Sequence, residues 1–235
     1  MKEIKCIQGT DEWFEARLGK ITGSHFDLIM QSDAQKKAID KVIENNEKYK
    51  EKPDKQKEFP ARFSDGQLTY LYRVAAELLT NMREETFESK SMRWGTEKES
   101  EAKAAYSIKH LLKVRDCGFF TDDVMTGSSP DGIIGINEKI IEIKCPESKQ
   151  HFYYSLYPVE LFKKYKWQVI GECYFTGCPS GVICSYDPRY PEDRRLVEYN
   201  FAPSEIQYRE LEDRLKECCD LITSWIEPEC FQVDF

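Results

Sequence analysis

Long apolar runs are missing from this sequence of 235 residues, and none approaches the length of a membrane-spanning helix. The first residues, MKEIKCIQGTDEW, also lack the apolar core of a secretory signal peptide. We therefore expect an intracellular, cytoplasmic protein without a membrane partner. Its composition, 40% hydrophobic and 32% charged, is that of a globular protein, and its length suits a single domain over residues 1–235.

CxxC pairs are absent among the nine cysteines, which removes the usual spacing of zinc and iron–sulfur ligands. Their odd number and scattered positions argue against a disulfide framework and fit a reducing compartment. The loosely grouped Cys173, Cys178 and Cys184 leave a metal site open as an alternative. Small buried apolar side chains are the simpler interpretation.

An excess of positive charge is also missing, since 34 Lys and Arg face 42 Asp and Glu, for a net charge of −8. This argues against a general, sequence-independent grip on nucleic acid. It leaves room for an enzyme that acts on DNA, because acidic metal ligands lower the net charge and a basic channel can lie on an acidic molecule.

Apolar periodicity predicts helices towards both ends of the chain and strands in the middle. Helical patterns cover residues 11–18, 24–30, 67–80, 96–111, 158–176 and 204–226. Strand patterns are CGFFTDD, GIIGI, KIIEIKC, GVICSYDP and RLVEYNF. This order predicts an α/β or α+β fold with a short mixed sheet flanked by helices. Residues 31–60, rich in Lys, Glu and Asp, are expected to form a charged surface insertion.

Polar side chains predict where three of the helices begin. Asp11 is expected to be the N-cap of the first helix, and Ser24 the N-cap of the second. Ser204 and Gln207 form a capping-box pattern at the start of the last helix.

Besides Glu138 and Lys139 around its turn, three charged residues, Asp131, Glu142 and Lys144, interrupt an otherwise apolar hairpin, TGSSPDGIIGINEKIIEIKCP, at residues 126–146. Glu142 and Lys144 share one strand face because residues two apart point the same way. Burial of either charge without a partner costs on the order of several kcal/mol. An ion pair between them is one interpretation. The other is a metal ion bound by Glu142 and Asp131, with Lys144 beside a reacting water.

The spacing of these charges favours the metal site. Pro130 restricts the backbone just before Asp131, which suits a ligand that must be held in place. The predicted hairpin brings Asp131 alongside Glu142. Two carboxylates, a backbone carbonyl and waters suit Mg²⁺, and an adjacent Lys can stabilise charge on a phosphate. The block therefore predicts a metal-dependent nuclease.

The block SPDG…EIKCP resembles the core of the lambda exonuclease family, the YqaJ-type viral recombinases among the restriction-endonuclease-like nucleases. Further segments resemble family motifs and occur in the family's order: WFEARLGKITGS, RWGTEKESEAK, YKWQV and SYDPR. The resemblance spans most of the chain and implies a restriction-endonuclease-like core.

The resemblance also implies roles for the acidic block. Asp131, Glu142 and the backbone carbonyl of Ile143 are expected to bind catalytic Mg²⁺, with two ions expected and Mn²⁺ able to substitute. Lys144 is expected to activate or position the water. Glu99 falls on the family's additional active-site acid, although a solvated glutamate would be the simpler interpretation without the resemblance.

A second set of residues is implied to hold the 5′-phosphate of a DNA end. These residues are Arg17, Ser24, Ser129 and Gln168, with Thr22 in support. A guanidinium, two hydroxyls and an amide can satisfy phosphate oxygens without acting as a base.

The resemblance implies a Mg²⁺-dependent 5′-to-3′ double-strand DNA exonuclease of phage or prophage recombination, which leaves a 3′ single-stranded overhang. Its expected partners are duplex ends, a single-strand annealing protein and further copies of the chain in a ring-shaped trimer. Two alternatives stay open. One is a structure-specific endonuclease on the same core, and the other is a non-catalytic protein that binds DNA ends.

Overall fold

The structure of the chain is a computed structural model that describes residues 1–31, 63–84 and 89–227. All but the first residue of the charged insertion predicted at 31–60 lies outside the described residues. No helix in the described ranges combines the length and apolar character needed to cross a membrane.

The described residues form eight α-helices and nine strands. The helices are α1 Asp11–Arg17, α2 Phe26–Ile29, α3 Asp65–Thr80, α4 Lys90–His110, α5 Ser148–Leu156, α6 Pro158–Lys164, α7 Lys166–Thr176 and α8 Glu205–Ile226. The strands are β1 Lys2–Ile4, β2 Ile21–Thr22, β3 Val114–Arg115, β4 Phe119–Thr121, β5 Thr126–Ser128, β6 Gly132–Ile134, β7 Lys139–Lys144, β8 Ser180–Tyr186 and β9 Leu196–Phe201.

These strands make two mixed sheets. The larger one has the order β3-β6-β7-β8-β9, with β7 and β8 parallel and the other neighbours antiparallel. The smaller one has the order β1-β4-β5-β2, with β2 and β5 parallel. The predicted α/β architecture, a short mixed sheet flanked by helices, is confirmed.

Strand β7 lies at the centre of the larger sheet and is covered on both faces, as its isoleucines predict. On one face, Ile140 belongs to the same buried cluster as Val169 of α7. On the other face, Ile141 packs in a second cluster with Ala102 and Tyr106 of α4. A charged side chain in the buried part of β7 is therefore placed between the sheet and a helix, where only protein groups or a bound ion can compensate it.

Helix ends agree with the prediction for α8 but not for the first two helices. The Ser204–Gln207 capping box is confirmed, since each residue's backbone N–H donates to the other's side chain, at 3.3 and 2.9 Å. The prediction for Asp11 is wrong, because the N-cap is Thr10 and Asp11 is already helical. The prediction for Ser24 is also wrong. Residues Gly23–His25 form a 3₁₀ turn that directly follows β2, so Ser24 lies inside that turn.

The single helix predicted over 158–176 is divided into α6 and α7 at Tyr165. The division has a tertiary cause, because the Asp27 carboxylate accepts hydrogen bonds from the backbone N–H groups of Trp167 and Gln168, at 2.9 and 3.1 Å. It thus caps α7 from another element. Gly177, with φ of +74°, ends α7 as predicted.

Close approach of α7 to α2 depends on Gly171. A Cβ at this position would lie 2.3 Å from the ring of Phe26, which is fully buried. Gly171→Ala is therefore expected to cost about 1–3 kcal/mol of overpacking. For a domain of this size, each kcal/mol lowers the melting temperature by about 2–4 °C, which circular dichroism can measure.

Gly95→Ala is the matched control, since Gly95 also lies within a helix, but a Cβ added there would meet nothing within 4 Å beyond its own helix. This change is expected to stabilise the protein by about 0.5–1 kcal/mol through helix propensity. Equal melting temperatures for the two variants would contradict the packing described for α7.

Candidate active site

Asp131 and Glu142 face each other across the β6–β7 hairpin. Gly132 pairs with Ile141, so the residue before Gly132 lies beside the residue after Ile141. The backbone N–H of Ile143 donates to Asp131 Oδ2 at 2.6 Å, which fixes that carboxylate against β7. Both acids are buried, with Glu142 3% and Asp131 9% exposed. The structure therefore places the two predicted metal ligands side by side.

The two oxygens of Glu142 have different surroundings. Oε1 accepts from Lys144 Nζ at 2.8 Å and from Gln168 Nε2 at 2.5 Å. Oε2 is buried and has no hydrogen-bond partner among the described residues. A buried acceptor without a partner costs about 1–3 kcal/mol, and more if it is charged. This oxygen is therefore free to bind a cation on the side of the carboxylate away from Lys144.

The charged groups around Glu142 shift the pKa values of its neighbours Asp131 and Lys144. Burial raises the pKa of Asp131 well above its usual range, and the nearby carboxylates of Glu142 and Glu99 raise it further. Burial alone would lower the pKa of Lys144, but Glu142 and Asp131 raise it above its ordinary value. Lys144 is consequently an ammonium at neutral pH, able to position a water or a phosphate but not to accept a proton.

Gln168 lies against Glu142 and Lys144. Its Oε1 accepts from Lys144 Nζ at 3.0 Å, while its Nε2 donates to Glu142 and, at 2.9 Å, to Glu172 Oε1. These contacts fix which way the amide faces. They join α7 to the acidic block, whereas the predicted role of Gln168 in holding the 5′-phosphate stays a prediction.

Glu172 is a member of the site that the sequence patterns did not predict. It is fully buried, and its Oε2 has no hydrogen-bond partner among the described residues. Burial and the nearby Glu142 raise its pKa well above the ordinary value. Its signal in the sequence is a glutamate four residues after Gln168, on the same side of the apolar helix WQVIGECYF.

Glu99 of α4 faces the same region as Asp131. Both residues line a cleft of about 980 Å³, and Glu99 forms an ion pair with Lys103 at 2.8 Å. The neighbouring acid Glu101 instead accepts from Lys98 at 3.0 Å and from the Tyr186 hydroxyl at 2.8 Å. Of these two acids on α4, Glu99 is therefore the one that lines the Asp131 cleft.

A second cleft, of about 700 Å³, is adjacent to the first. It is lined by Arg17 and Thr22, and it shares Gln8, Thr96 and Glu99 with the Asp131 cleft. We call it the Arg17 cleft. Burial lowers the pKa of Arg17 to about 10, so the guanidinium still carries its charge at neutral pH.

Three of the four residues predicted to hold a 5′-phosphate come together around Trp13 and Thr22. The Arg17 guanidinium lies 4.1 Å from the centre of the Trp13 ring and donates to Thr22 Oγ1 at 3.3 Å. Thr22 Oγ1 is 3.3 Å from Ser24 Oγ, and Trp13 Nε1 donates to Ser129 Oγ at 2.9 Å. The motif at residues 13–24 is thus joined to the turn that precedes Asp131.

The remaining motifs are connected by structural contacts. Asp187 is fully buried and accepts two hydrogen bonds from the Arg189 guanidinium, both at 2.7 Å. That guanidinium lies 4.9 Å from the centre of the Trp94 ring on α4. SYDPR and the Trp94-Gly95 motif therefore support each other, and with them the helix that carries Glu99.

Mg²⁺ fits the residues at this site. Within residues 1–31, 63–84 and 89–227, no three His, Cys, Asp or Glu side chains converge as a ready-made metal cage. Mg²⁺ in proteins usually keeps several waters and takes only one or two carboxylates. Asp131 and the unpartnered Glu142 Oε2 supply these. The Ile143 carbonyl stays a predicted ligand.

The cysteine group named as an alternative metal site is divided between the two cores. Cys173 and Cys178 belong to the cluster around α7, and Cys184 belongs to the cluster on the other face of the sheet. All three are buried free thiols. The simpler interpretation, small buried apolar side chains, agrees with this arrangement.

The fold and the paired carboxylates Asp131 and Glu142 place the chain in the class of α/β proteins of the lambda exonuclease type. Residues 12–179 match the family model of the YqaJ-like viral recombinase domain, and the chain belongs to this family. No curated protein matches the sequence.

Solved structures support the same assignment. An alkaline exonuclease from Laribacter hongkongensis is 25% identical over 92% of this chain and 94% of its own, with a TM-score of 0.72. The same enzyme in complex with dAMP matches equally well. A phage-related exonuclease from Haemophilus somnus 129PT, 14% identical over 88% of this chain and 95% of its own, shares the fold with a TM-score of 0.65.

Glu172 makes the stability of the protein dependent on pH. Its raised pKa means that the folded state favours the protonated acid, so its contribution is fully present at low pH and decreases as the pH rises above about 4.5, the ordinary value. Glu172→Gln keeps the shape and the acceptor for Gln168 but cannot ionise. Without divalent cations, the variant is expected to melt higher than the parent, by a margin that grows from pH 5 to pH 8.

Melting temperatures across this pH range measure the effect, at about 2–4 °C for each kcal/mol. Glu210→Gln makes the same chemical change on the exposed surface of α8 and is expected to shift stability by no more than about 0.5 kcal/mol. A constant difference between Glu172→Gln and the parent at every pH would contradict the protonated state of Glu172.

Proposed function

We propose that the protein is a Mg²⁺-dependent 5′-to-3′ double-strand DNA exonuclease that acts in homologous recombination. The observation that carries this proposal is the position of Glu142. It is buried opposite Asp131, bound by Lys144 through one oxygen and unpartnered through the other. This arrangement supports a cation and an ammonium on opposite sides of one carboxylate, which suits hydrolysis of a phosphodiester.

Each residue has a defined part in this reaction. Bound Mg²⁺ would polarise the phosphate and lower the pKa of a water. Asp131 and Glu142 would hold the ion. The Lys144 ammonium would stabilise negative charge that develops on the phosphate, and Gln168 would keep Lys144 and Glu142 in register through its two amide atoms.

The preference for DNA ends would come from the Arg17 cleft, whose lining residues Thr22 and Trp13 contact Ser24 and Ser129. Arg17, Ser24 and Ser129 would bind a terminal 5′-phosphate, because they offer hydrogen-bond donors and a positive charge to phosphate oxygens. The cleft shares Glu99 with the cleft of Asp131, so a bound end would lie next to the carboxylates. Cleavage would then begin near the bound 5′ end and proceed along that strand in the 5′-to-3′ direction.

The comparisons support the same activity and its context. The two similar enzymes are named as exonucleases, and the family is named for viral recombinases. Digestion of the 5′ strand would leave a 3′ single strand, which is a substrate for a single-strand annealing protein. We propose such a protein as the partner.

Linear duplexes with 5′-phosphate or 5′-hydroxyl ends test the activity. With Mg²⁺ the protein is expected to release nucleotides from phosphorylated ends and to stop when EDTA is added. Glu142→Gln and Lys144→Met are expected to lower the rate at least about 100-fold, since each removes a charge that acts at the reacting phosphate. Glu101→Gln, which changes the acid on the far side of α4, is the matched control.

Other outcomes of this assay favour the alternatives. Rapid nicking of closed circular DNA would indicate an endonuclease. Tight binding of ends without turnover in Mg²⁺ would indicate a non-catalytic protein. Undiminished digestion by Glu142→Gln would contradict the proposed site.

The proposed assembly is a ring-shaped trimer, and it depends on the family resemblance alone. Light scattering of the purified chain is expected to give the mass of a trimer. A monomer mass at all concentrations would contradict this part of the proposal.

A further inference from the structure

His25 and Arg73 form a contact beside the Arg17 cleft that the proposed reaction does not use. The His25 ring stacks on Tyr70 with 4.0 Å between centroids and 7° between planes. The Arg73 guanidinium lies 3.1 Å from His25 Nε2 and 5.0 Å from the centre of the Tyr70 ring. Both His25 and Arg73 line the cleft, together with Arg17 and Thr22.

The partner on Nε2 decides where the proton of His25 lies. A guanidinium has no acceptor, so His25 Nε2 must be the acceptor in its contact with Arg73. A neutral imidazole carries a single proton, which must then be on Nδ1. Burial and the positive charges of Arg73 and Arg17 lower the pKa of His25 to about 4, which agrees with a neutral ring.

The Nδ1–H group in turn decides how the neighbouring hydroxyls are oriented. Nδ1 lies 3.2 Å from Ser24 Oγ and 3.5 Å from Thr22 Oγ1. Thr22 Oγ1 also accepts from Arg17. Lone pairs of these hydroxyls are used to accept from His25 and Arg17. One of the two O–H groups is used in the 3.3 Å contact between Thr22 Oγ1 and Ser24 Oγ, so the other is available to donate.

The result is a group of donors next to two guanidiniums. Arg17 and the free hydroxyl of Thr22 or Ser24 can donate to a ligand, and the only acceptor of His25 is occupied by Arg73. Such a group favours a ligand that only accepts hydrogen bonds, and it favours most of all a ligand with high negative charge. A terminal phosphate monoester carries about −1.5 to −2 charges at pH 7 and three acceptor oxygens. A 5′-hydroxyl end offers neither.

We propose that His25 and Arg73 are positioning residues that set the preference for 5′-phosphorylated over 5′-hydroxyl DNA ends. Arg73 acts through the tautomer of His25, and His25 acts through the hydroxyls of Ser24 and Thr22. The inference rests on the proposed function, because it assigns the 5′-phosphate to the Arg17 cleft.

Binding without turnover tests this inference separately from catalysis. The probe is a fluorescent hairpin duplex with a 5′-phosphate or a 5′-hydroxyl, titrated in EDTA and followed by anisotropy. The quantity measured is the dissociation constant of the 5′-hydroxyl duplex divided by that of the 5′-phosphate duplex. Arg73→Met and His25→Leu are expected to lower this ratio at least about tenfold, the loss of one hydrogen bond to a charged group. Arg73→Lys keeps a donor and is expected to retain most of the ratio.

A double variant distinguishes an effect of Arg73 through the tautomer of His25 from an effect of Arg73 on packing. The amide of His25→Asn can donate from the position of Nδ1 without any tautomer to select. Adding Arg73→Met to His25→Asn is therefore expected to change the ratio much less than Arg73→Met does alone. Arg83→Met is the control for charge, since Arg83 lines the same cleft but stacks on Phe14, at 3.7 Å from the ring centre. It is expected to weaken both duplexes alike.

The outcomes distinguish this inference from the proposed function. A wild-type protein that binds both ends equally, or an Arg73→Met variant that keeps the full ratio, overturns the inference whether or not DNA is digested. The inference would also be overturned if Arg73→Met lowered the ratio equally when added to the wild type and when added to His25→Asn. A ratio that falls as expected, in a protein that digests no DNA, would uphold the inference and reject the exonuclease.

Discussion

Glu142 lies on the central strand of the larger sheet, where its carboxylate is buried against α7. Lys144 and Gln168 compensate one oxygen, and the other has no hydrogen-bond partner among the described residues. Removing one partner of a buried ion pair is costly, so the surrounding residues are constrained together. The hairpin places Asp131, and α7 places Gln168 and Glu172. The apolar strand is the rigid support that this chemistry requires.

Helix α7 connects the carboxylates to the Arg17 cleft. Its N-terminus is capped by Asp27, which follows the 3₁₀ turn containing Ser24 and His25 by two residues. Its middle packs on Phe26 through Gly171. The segment that would bind a DNA end is therefore packed directly on the helix that contacts Glu142. A nuclease that acts from ends needs such a connection, because a small misplacement of substrate sharply reduces the rate.

Much of this arrangement could be predicted from the sequence, because it follows from local patterns. Alternation in KIIEIK predicts that Glu142 and Lys144 share a face, and the capping box predicts the start of α8. The missed features depend on contacts between distant residues. Asp27 divides the helix predicted over 158–176, and β2 shifts the turn at Ser24 by pairing with β5. Glu172 and Arg73 resemble ordinary helix residues until folding brings them to Gln168 and His25.

Binding of Mn²⁺ without DNA tests most directly whether Asp131 and Glu142 hold a divalent cation. The electron paramagnetic resonance signal of free Mn²⁺ falls as the ion binds, so a titration gives the affinity. Wild-type protein is expected to bind the ion, and Asp131→Asn and Glu142→Gln to weaken binding at least about tenfold. Glu101→Gln should bind like the wild type. Equal affinity in all four proteins would contradict the account of the site.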